Sequence, residues 1–194
     1  MQLKLTFVIQ NSAMKIREST EADKYGIEAV HIQAFGKNEG PEIAELVDDL
    51  LKDETAFPLL SLVAVVNDKI VGHVLYTNAV VRQSTESASA QLLAPLGVLP
   101  EAQNQGIGAQ LISEGTRRLT KSGVELVFVL GHPNYYPRSG FRTAGIIGFE
   151  APYPIPEENA DAWMVLELKE GIVGKVKGKI QCAKVLNQPQ HWRE

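Results

Sequence analysis

Gln103, Gly106 and Gly108 stand in a Q-x-x-G-x-G spacing, after a short apolar strand read over Leu96–Leu99 and the pair Pro100-Glu101, and a helix opens from about Asn104. Residues in that order can seat a phosphate. Backbone N–H groups at a helix N-terminus lack intrahelical partners and lie at the positive end of the helix dipole. Glycines there let an anion approach where a Cβ would collide with it. Glutamines turn the loop without filling it with charge. Two other glycine-loop chemistries fail on spacing. A dinucleotide fingerprint needs a third glycine where Leu111 stands, and an ATPase-type phosphate loop needs Gly-Lys-Ser/Thr, which is absent. The plainer alternative is a strand-loop-helix with permissive glycines.

A second group runs from Gly131 to Phe141, where Tyr136, Gly140 and Phe141 read Y-x-x-x-G-F. A tyrosine at a strand end can deliver a proton, or simply pack with its hydroxyl toward solvent. Bases are harder to choose. His73 falls mid-strand among alternating residues and reads first as a hydrogen-bonded core histidine, second as a catalytic base. His132 lies at a strand end near Tyr136 and could touch a substrate. His31 falls on an apolar helix face, a structural position. Glu39 and Glu42 read as solvated or helix-start acids that could also line a second site. No histidines, cysteines or carboxylates stand at metal-ligand spacing, so no metal is expected.

The first segment resembles the acyl-CoA pyrophosphate loop of the GNAT superfamily of N-acetyltransferases, [Q/R]-x-x-G-x-[G/A]. Tyr136, Gly140 and Phe141 match the Y-x-x-x-G-F helix that ends the second CoA strand in many of its enzymes. The preceding G-x-P-x-Y-Y is similar to a bacterial predicted-acetyltransferase subgroup labelled YhbS-type, with His132 standing where an acid is expected. The resemblance implies that acetyl-CoA is the co-substrate, held by Leu96, Gly97, Val98, Gln103, Asn104, Gln105, Gly106, Ile107, Gly108, Ala109, Asn134 and Tyr136. It also implies direct acetyl transfer to a primary amine of a small molecule or protein in a ternary complex. An alkyl ammonium has a pKa of about 10 and must lose a proton before it attacks. The amide of Val98 is then the candidate for the oxyanion and Tyr136 the donor to the leaving thiolate. His73 is the catalytic base of this set if it escapes the core. Two rivals stay open: a non-catalytic acyl-CoA-binding or regulatory module on the same fold, and a transferase using another acyl-CoA.

Composition sets outer bounds. The chain of 194 residues is 44% hydrophobic and 22% charged, proportions of a soluble globular protein long enough to bury its own core. A net charge of −4, with no Lys/Arg cluster, argues against a nucleic-acid partner. The single cysteine, Cys182, excludes an internal disulfide and is compatible with a cytoplasmic location. No stretch approaches the roughly 18 apolar residues of a membrane span. A homodimer is left open.

The elements must position the two motifs. The pattern predicts a strand over Ile16–Glu18, a helix capped by Ser19-Thr20, a break at residues 36–40, and a second helix from Pro41 with an apolar stripe of Ile43, Leu46, Val47, Leu50 and Leu51. Strands follow at Leu60–Val66 and Ile70–Asn78 around an Asn67-Asp68-Lys69 hairpin. After the glycine loop come a helix closed by Gly123, a buried strand over Val124–Leu130, and strands over Phe141–Gly148 and Ala162–Leu168 joined by a proline-rich loop, 151–161. The order βααβββαβαββ predicts an α/β (α+β) protein with a mixed, mostly antiparallel central sheet and helices on both faces. It resembles the GNAT order of elements from Met14 to about Leu168, which implies two splayed parallel strands at the CoA site. The expected division is an extension over 1–13, an acetyltransferase domain over 14–168, and a tail over 169–194 packed on or extending it.

Overall fold

Asn67 and Asp68 take left-handed φ angles of 49° and 60°. Those are the angles of a two-residue hairpin turn whose twist matches its strands. The turn closes β2 (Leu60–Val66) on β3 (Lys69–Arg82). A computed structural model describes residues 14–84 and 86–192, so the expected extension over 1–13 lies outside the described residues. The sheet follows the path β1-β2-β3-β4-β5-β8-β6, where β1 is Lys15–Glu18, β4 Ser89–Val98, β5 Leu126–Leu130, β6 Arg142–Thr143 and β8 Trp163–Glu167. Along it only the β4–β5 contact is parallel.

Neighbouring residues of β3 show that helices cover both faces. A Cβ on Gly72 would meet Leu111 and Ile107 of α2 (Ile107–Lys121), whereas the adjacent His73 reaches His31 of α1 (Lys24–Leu50). Successive strand side chains point to opposite faces, so α1 and α2 lie on opposite sides of the sheet. The break foreseen at 36–40 is narrower than that. Gly36 alone leaves helical geometry, with φ 78° and ψ −175°, and the helix resumes at once with Pro41 inside it. The helix after the glycine loop likewise starts later than Asn104. Asn104 and Gly106 both sit at positive φ, which helix cannot continue through, so α2 begins at Ile107.

The strand before the glycine loop is longer than its apolar end suggested. Strand β4 pairs with β5 only over Ala90–Leu93, against Leu126–Val129. It then continues to Val98 with β3 as its one neighbour. Where the two separate, Val74 faces Leu96 but Tyr76 faces Leu93, so Ala94 and Pro95 together oppose Leu75. A bulge there suits a proline, which has no N–H for a ladder. The pair β4 and β5 thus opens beyond Leu93.

The C-terminal part differs more from expectation. No long strand forms over 141–148, because Gly145 starts a single 3-10 turn and Gly148 takes φ 95°, leaving only β6 and the two-residue β7 (Phe149–Glu150). The tail supplies β9 (Gly178–Gln181), antiparallel to the end of β3 and parallel to β7. Behind it Ile172, Val176, Ile180, Cys182 and Leu186 close a core with Phe128, Phe149 and Trp163. Trp192 finishes that core, 3% exposed, its ring edge on Trp163 and its indole N–H donating to the Leu186 carbonyl at 2.8 Å. Trp192→Ala should therefore cost about 3–5 kcal/mol, read as a lower urea midpoint at unchanged m-value. A midpoint equal to wild type would mean that the tail does not hold this core.

Candidate active site

Helix α2 starts without a side-chain cap. Its N-cap is Gly106 at φ 78°, no side chain accepts from the first turn, and that turn carries no acid. The first intrahelical bond is donated by the Gln110 amide to the Gly106 carbonyl at 3.0 Å. The amides of Ile107, Gly108 and Ala109 precede it and point out of the helix end, at the positive pole of its dipole. Gln103 and Gln105 turn inward on the loop itself, donating to the carbonyls of Val98 at 3.1 Å and Glu101 at 3.2 Å. The loop is thereby shaped by neutral groups around a ready anion seat.

Gly108 has a different reason to be glycine than the one its spacing suggested. A Cβ there would lie 2.1 Å from the Tyr135 hydroxyl and 3.7 Å from a Leu96 methyl. The glycine makes room for Tyr135, which spans from the aromatic turn to the start of α2. Gly106 needs its glycine for backbone conformation instead.

Strand β4 reaches this seat with one edge open. The Leu99 amide donates to the Val71 carbonyl at 2.9 Å, toward β3. Peptide directions alternate along a strand, so the amide and carbonyl of Val98 point the other way, to the side β5 has left. The carbonyl is taken by Gln103.

The segment Tyr136–Ser139 is a single 3-10 turn after β5. Tyr136 is buried, its ring edge-on to Tyr135 and Phe141, and a Cβ on Gly131 would fall 2.5 Å from the ring. Tyr135 is half-buried, and burial raises its phenol above the usual value. His132 and Asn134 are exposed between β5 and that turn.

On the α1 face, a row of polar groups crosses the core. Ser19 Oγ lies 2.6 Å from Ser61 Oγ, Ser61 Oγ 2.9 Å from His73 Nε2, and His73 Nδ1 2.7 Å from His31 Nε2. Both rings are fully buried. Burial drives both imidazoles toward the neutral form, His31 down to about 4 and His73 well below its ordinary value, where His31 adds to the effect and Asp23 opposes it. Asp23, next to this row, is held strongly ionised by two bonds from Arg17 and by the amide and hydroxyl of Thr20. With both ring nitrogens engaged, His73 has no route of its own to a substrate.

The structure therefore brings Leu96, Gly97, Val98, Gln103 and the first turn of α2 to one edge, with Tyr135 and Tyr136 beside it. Glu39 is exposed beyond the Gly36 kink, and Glu42 lies near the tail residue His191, whose lowered pKa it counters. The loop at 151–161 is tied to the tail by the Tyr153 hydroxyl, which donates to the Asn187 carbonyl at 3.0 Å. Among the described residues no cluster of His, Cys, Asp and Glu could hold a metal, and no helix is long and apolar enough to cross a membrane. The motifs give no sign of Tyr135 at the start of α2, nor of the hydrogen bonds that join Ser19, Ser61, His73 and His31. The one available signal was Gly97, a lone glycine inside a strand, which marks a close approach.

The acetyltransferase (GNAT) domain family matches residues 15–144. An uncharacterized N-acetyltransferase of Escherichia coli K12, YjhQ, is 44% identical over 164 residues, covering 84% of this chain and 88% of the relative. Escherichia coli YhbS, a second uncharacterized N-acetyltransferase, is 30% identical over 90% of this chain and 99% of its own. A crystal structure of YhbS in complex with CoA superposes with a TM-score of 0.81 at 28% identity, over 92% of this chain and 94% of that one. A Brucella melitensis GNAT acetyltransferase in complex with acetyl-CoA shares the fold with a TM-score of 0.70 at 24% identity, over 91% and 99% of the two chains.

The buried neutral histidines make stability depend on pH. Unfolded, each ring takes a proton at about 6.5, while folded His31 resists until about 4. Their contribution is whole above the unfolded value and is lost as pH falls through the window between the two, by at most ~1.4 kcal/mol per pH unit for each ring. The urea midpoint should drop between pH 7 and pH 5, and His73→Gln, which removes one of the two sites, should flatten that drop. A profile that is level in wild type would show that the rings are not held neutral.

Proposed function

The chain belongs to the GNAT acetyltransferase family, and on that footing we propose that it moves an acetyl group from acetyl-CoA to a primary amine, of a small molecule or a protein, by direct attack in a ternary complex. What carries the reading is an open strand edge, Leu96–Val98, that runs straight into the uncapped N-terminus of α2. An extended amide-bearing arm bonds to the edge as an added strand would. A pyrophosphate sits on the amides of Ile107, Gly108 and Ala109. That neighbouring structures are complexes with CoA and acetyl-CoA supports this choice of ligand.

The free amine attacks the thioester carbonyl, and its carbon becomes tetrahedral with a negative oxygen. The Val98 amide, aimed to the open side of β4, is the donor available to that oxygen, and a pre-aimed donor of this kind is worth more in the transition state than in the ground state. The carbon–sulfur bond then breaks and the thiolate takes a proton, which Tyr136 supplies; the nitrogen sheds its second proton as it becomes an amide, and that proton, passed through water, restores the phenol. A thiol of pKa about 8.5 is already a fair leaving group, so the tyrosine contributes near the low end of the roughly 100- to 10,000-fold typical of acid–base groups. Asn134 stands exposed at the mouth of the turn, where it can meet the pantetheine arm.

Calorimetry with CoA and turnover with a panel of primary amines test the reading together. CoA binding without transfer to any amine would favour the non-catalytic module instead. Exposed Ala109 gives a sharp control, since Ala109→Glu adds a first-turn acid that favours the helix but repels a phosphate. It should keep the fold and weaken CoA by about tenfold or more, with Ala109→Gln close to wild type; unchanged CoA affinity would remove the phosphate from this helix end. Tyr136→Phe should lower turnover by at least roughly tenfold with the KM for acetyl-CoA little changed, and the loss should shrink at alkaline pH. An unaltered turnover would reduce Tyr136 to a packing residue.

A further inference from the structure

We infer that His31 is the base that takes the proton of the incoming ammonium, and that His73, Ser61 and Ser19 relay that proton to solvent. The inference rests on the acetyl-transfer reading above. Its basis is one unpartnered atom in an otherwise continuous chain of hydrogen bonds. His31 Nδ1 is buried without a partner, while its Nε2, both nitrogens of His73 and the hydroxyls of Ser61 and Ser19 are linked in series. The free nitrogen faces Gly97, where a Cβ would lie 2.9 Å from Nδ1 and 3.1 Å from Cε1 of the ring. Gly97 belongs to the part of β4 that has left β5, beside Val98. Thr77 Oγ1, Gln91 Oε1 and Ser84 Oγ are also buried without partners, but the first two lie where β4 still has β5 at its side, paired Leu92 to Phe128 and Gln91 to Val127, and the third lies beyond the end of β3. Among the described residues, only the His31 nitrogen meets the opened segment.

The opposite end of the chain is Ser19, half-buried after β1. The groups around the row are Phe35, stacked on His31, and the ionised Asp23 paired with Arg17, whose negative charge favours positive charge passing through His73. A neutral imidazole offers one N–H and one lone pair. With His31 Nε2–H donating to His73 Nδ1, His73 Nε2–H to Ser61 and Ser61 O–H to Ser19, the Nδ1 lone pair of His31 is free to accept. The ammonium N–H bond breaks and its electron pair stays on the amine nitrogen. The proton bonds to His31 Nδ1 as each donor in the row passes its own proton one place along, and Ser19 releases one to water. Every hydrogen bond then points the other way, and no ring carries a charge at either end of the shift. After product leaves, the reverse shift, with one proton out to water in the site and one in at Ser19, restores the chain.

Turnover of Ser61→Ala and Ser19→Ala on the best primary aliphatic amine of the panel, at pH 7 and near pH 10, tests this. Ser61→Ala interrupts the row in the core, and Ser19→Ala does so at its half-buried end, where folding is least at risk. At pH 7 each should lose about tenfold or more in kcat, with the KM for acetyl-CoA within about twofold. Near the ammonium pKa of about 10 the amine arrives already free, and the deficit should largely vanish. Wild-type turnover in both variants at pH 7 overturns the relay and leaves acetyl transfer standing. An equal deficit at both pH values marks structural damage and also overturns it. A wild-type protein that binds CoA yet acetylates no amine overturns the function and the relay together.

Discussion

The separation of two parallel strands governs this molecule. Over four rungs β4 and β5 hold each other as ordinary sheet neighbours. Then Ala94 and Pro95 share the space opposite Leu75, and β4 goes on alone against β3. A sheet edge normally lies at the rim, where charge or cover protects it. Here an edge is made in the interior, and it ends in a helix whose own first amides are also unsatisfied. Backbone donors, which in most proteins are spent inside secondary structure, are collected along one line. The catalytic reading follows from that line, because a thioester arm is a chain of amides ending in phosphates.

Glycines and polar side chains do the fitting. Gly97 admits the ring of His31, Gly108 the hydroxyl of Tyr135, and Gly115 the buried Tyr76, whose ring atoms would be 2.5 Å from a Cβ. Each brings a large side chain of one element against the backbone of another, so the positions of the aromatic and imidazole groups are fixed by contact with main chain. The row from Ser19 to His31 needs such fixing. Within the row every ring and hydroxyl has at least one partner, which is what makes its burial tolerable, and geometry at 2.6–2.9 Å leaves little slack. Pairing also holds the hairpin in register, since a slip of one residue at Asn67-Asp68 would carry His73 to the α2 face.

Much of this was legible in local sequence, and the failures share a cause. The glycine loop, the hairpin at Asn67-Asp68, the Gly36 break and the Gly123 helix end are short-range signals, each written in residues that permit one backbone conformation. The family resemblance came from the same short motifs. The strand expected over 141–148 failed because apolar residues there were weighed above Gly145 and Gly148. An apolar helix face is the only context that the sequence neighbours of His31 supply, and it indicates burial without indicating a partner. Its partner is 42 residues away, and their meeting depends on how α1 lies across β3 and β4, which no window of sequence contains. Tyr135 was missed for a related reason: its hydroxyl is placed by the start of α2, and the motif draws attention to the tyrosine beside it.

The core closed by the tail has a bearing on synthesis. A ribosome emits this chain from β1 onward, so the sheet path through β3, β4 and β5 is available early, while Ile180, Leu186 and Trp192 come late. Until they emerge, Phe128, Phe149 and Trp163 have an incomplete cover, and the end of β3 lacks the strand that pairs with Val80–Arg82. The nascent protein therefore presents an apolar surface beside a vacant strand edge, the combination on which chaperones and aggregation compete. Changes at Ile180, Leu186 or Trp192 would then act on the yield of folded enzyme as well as on its stability.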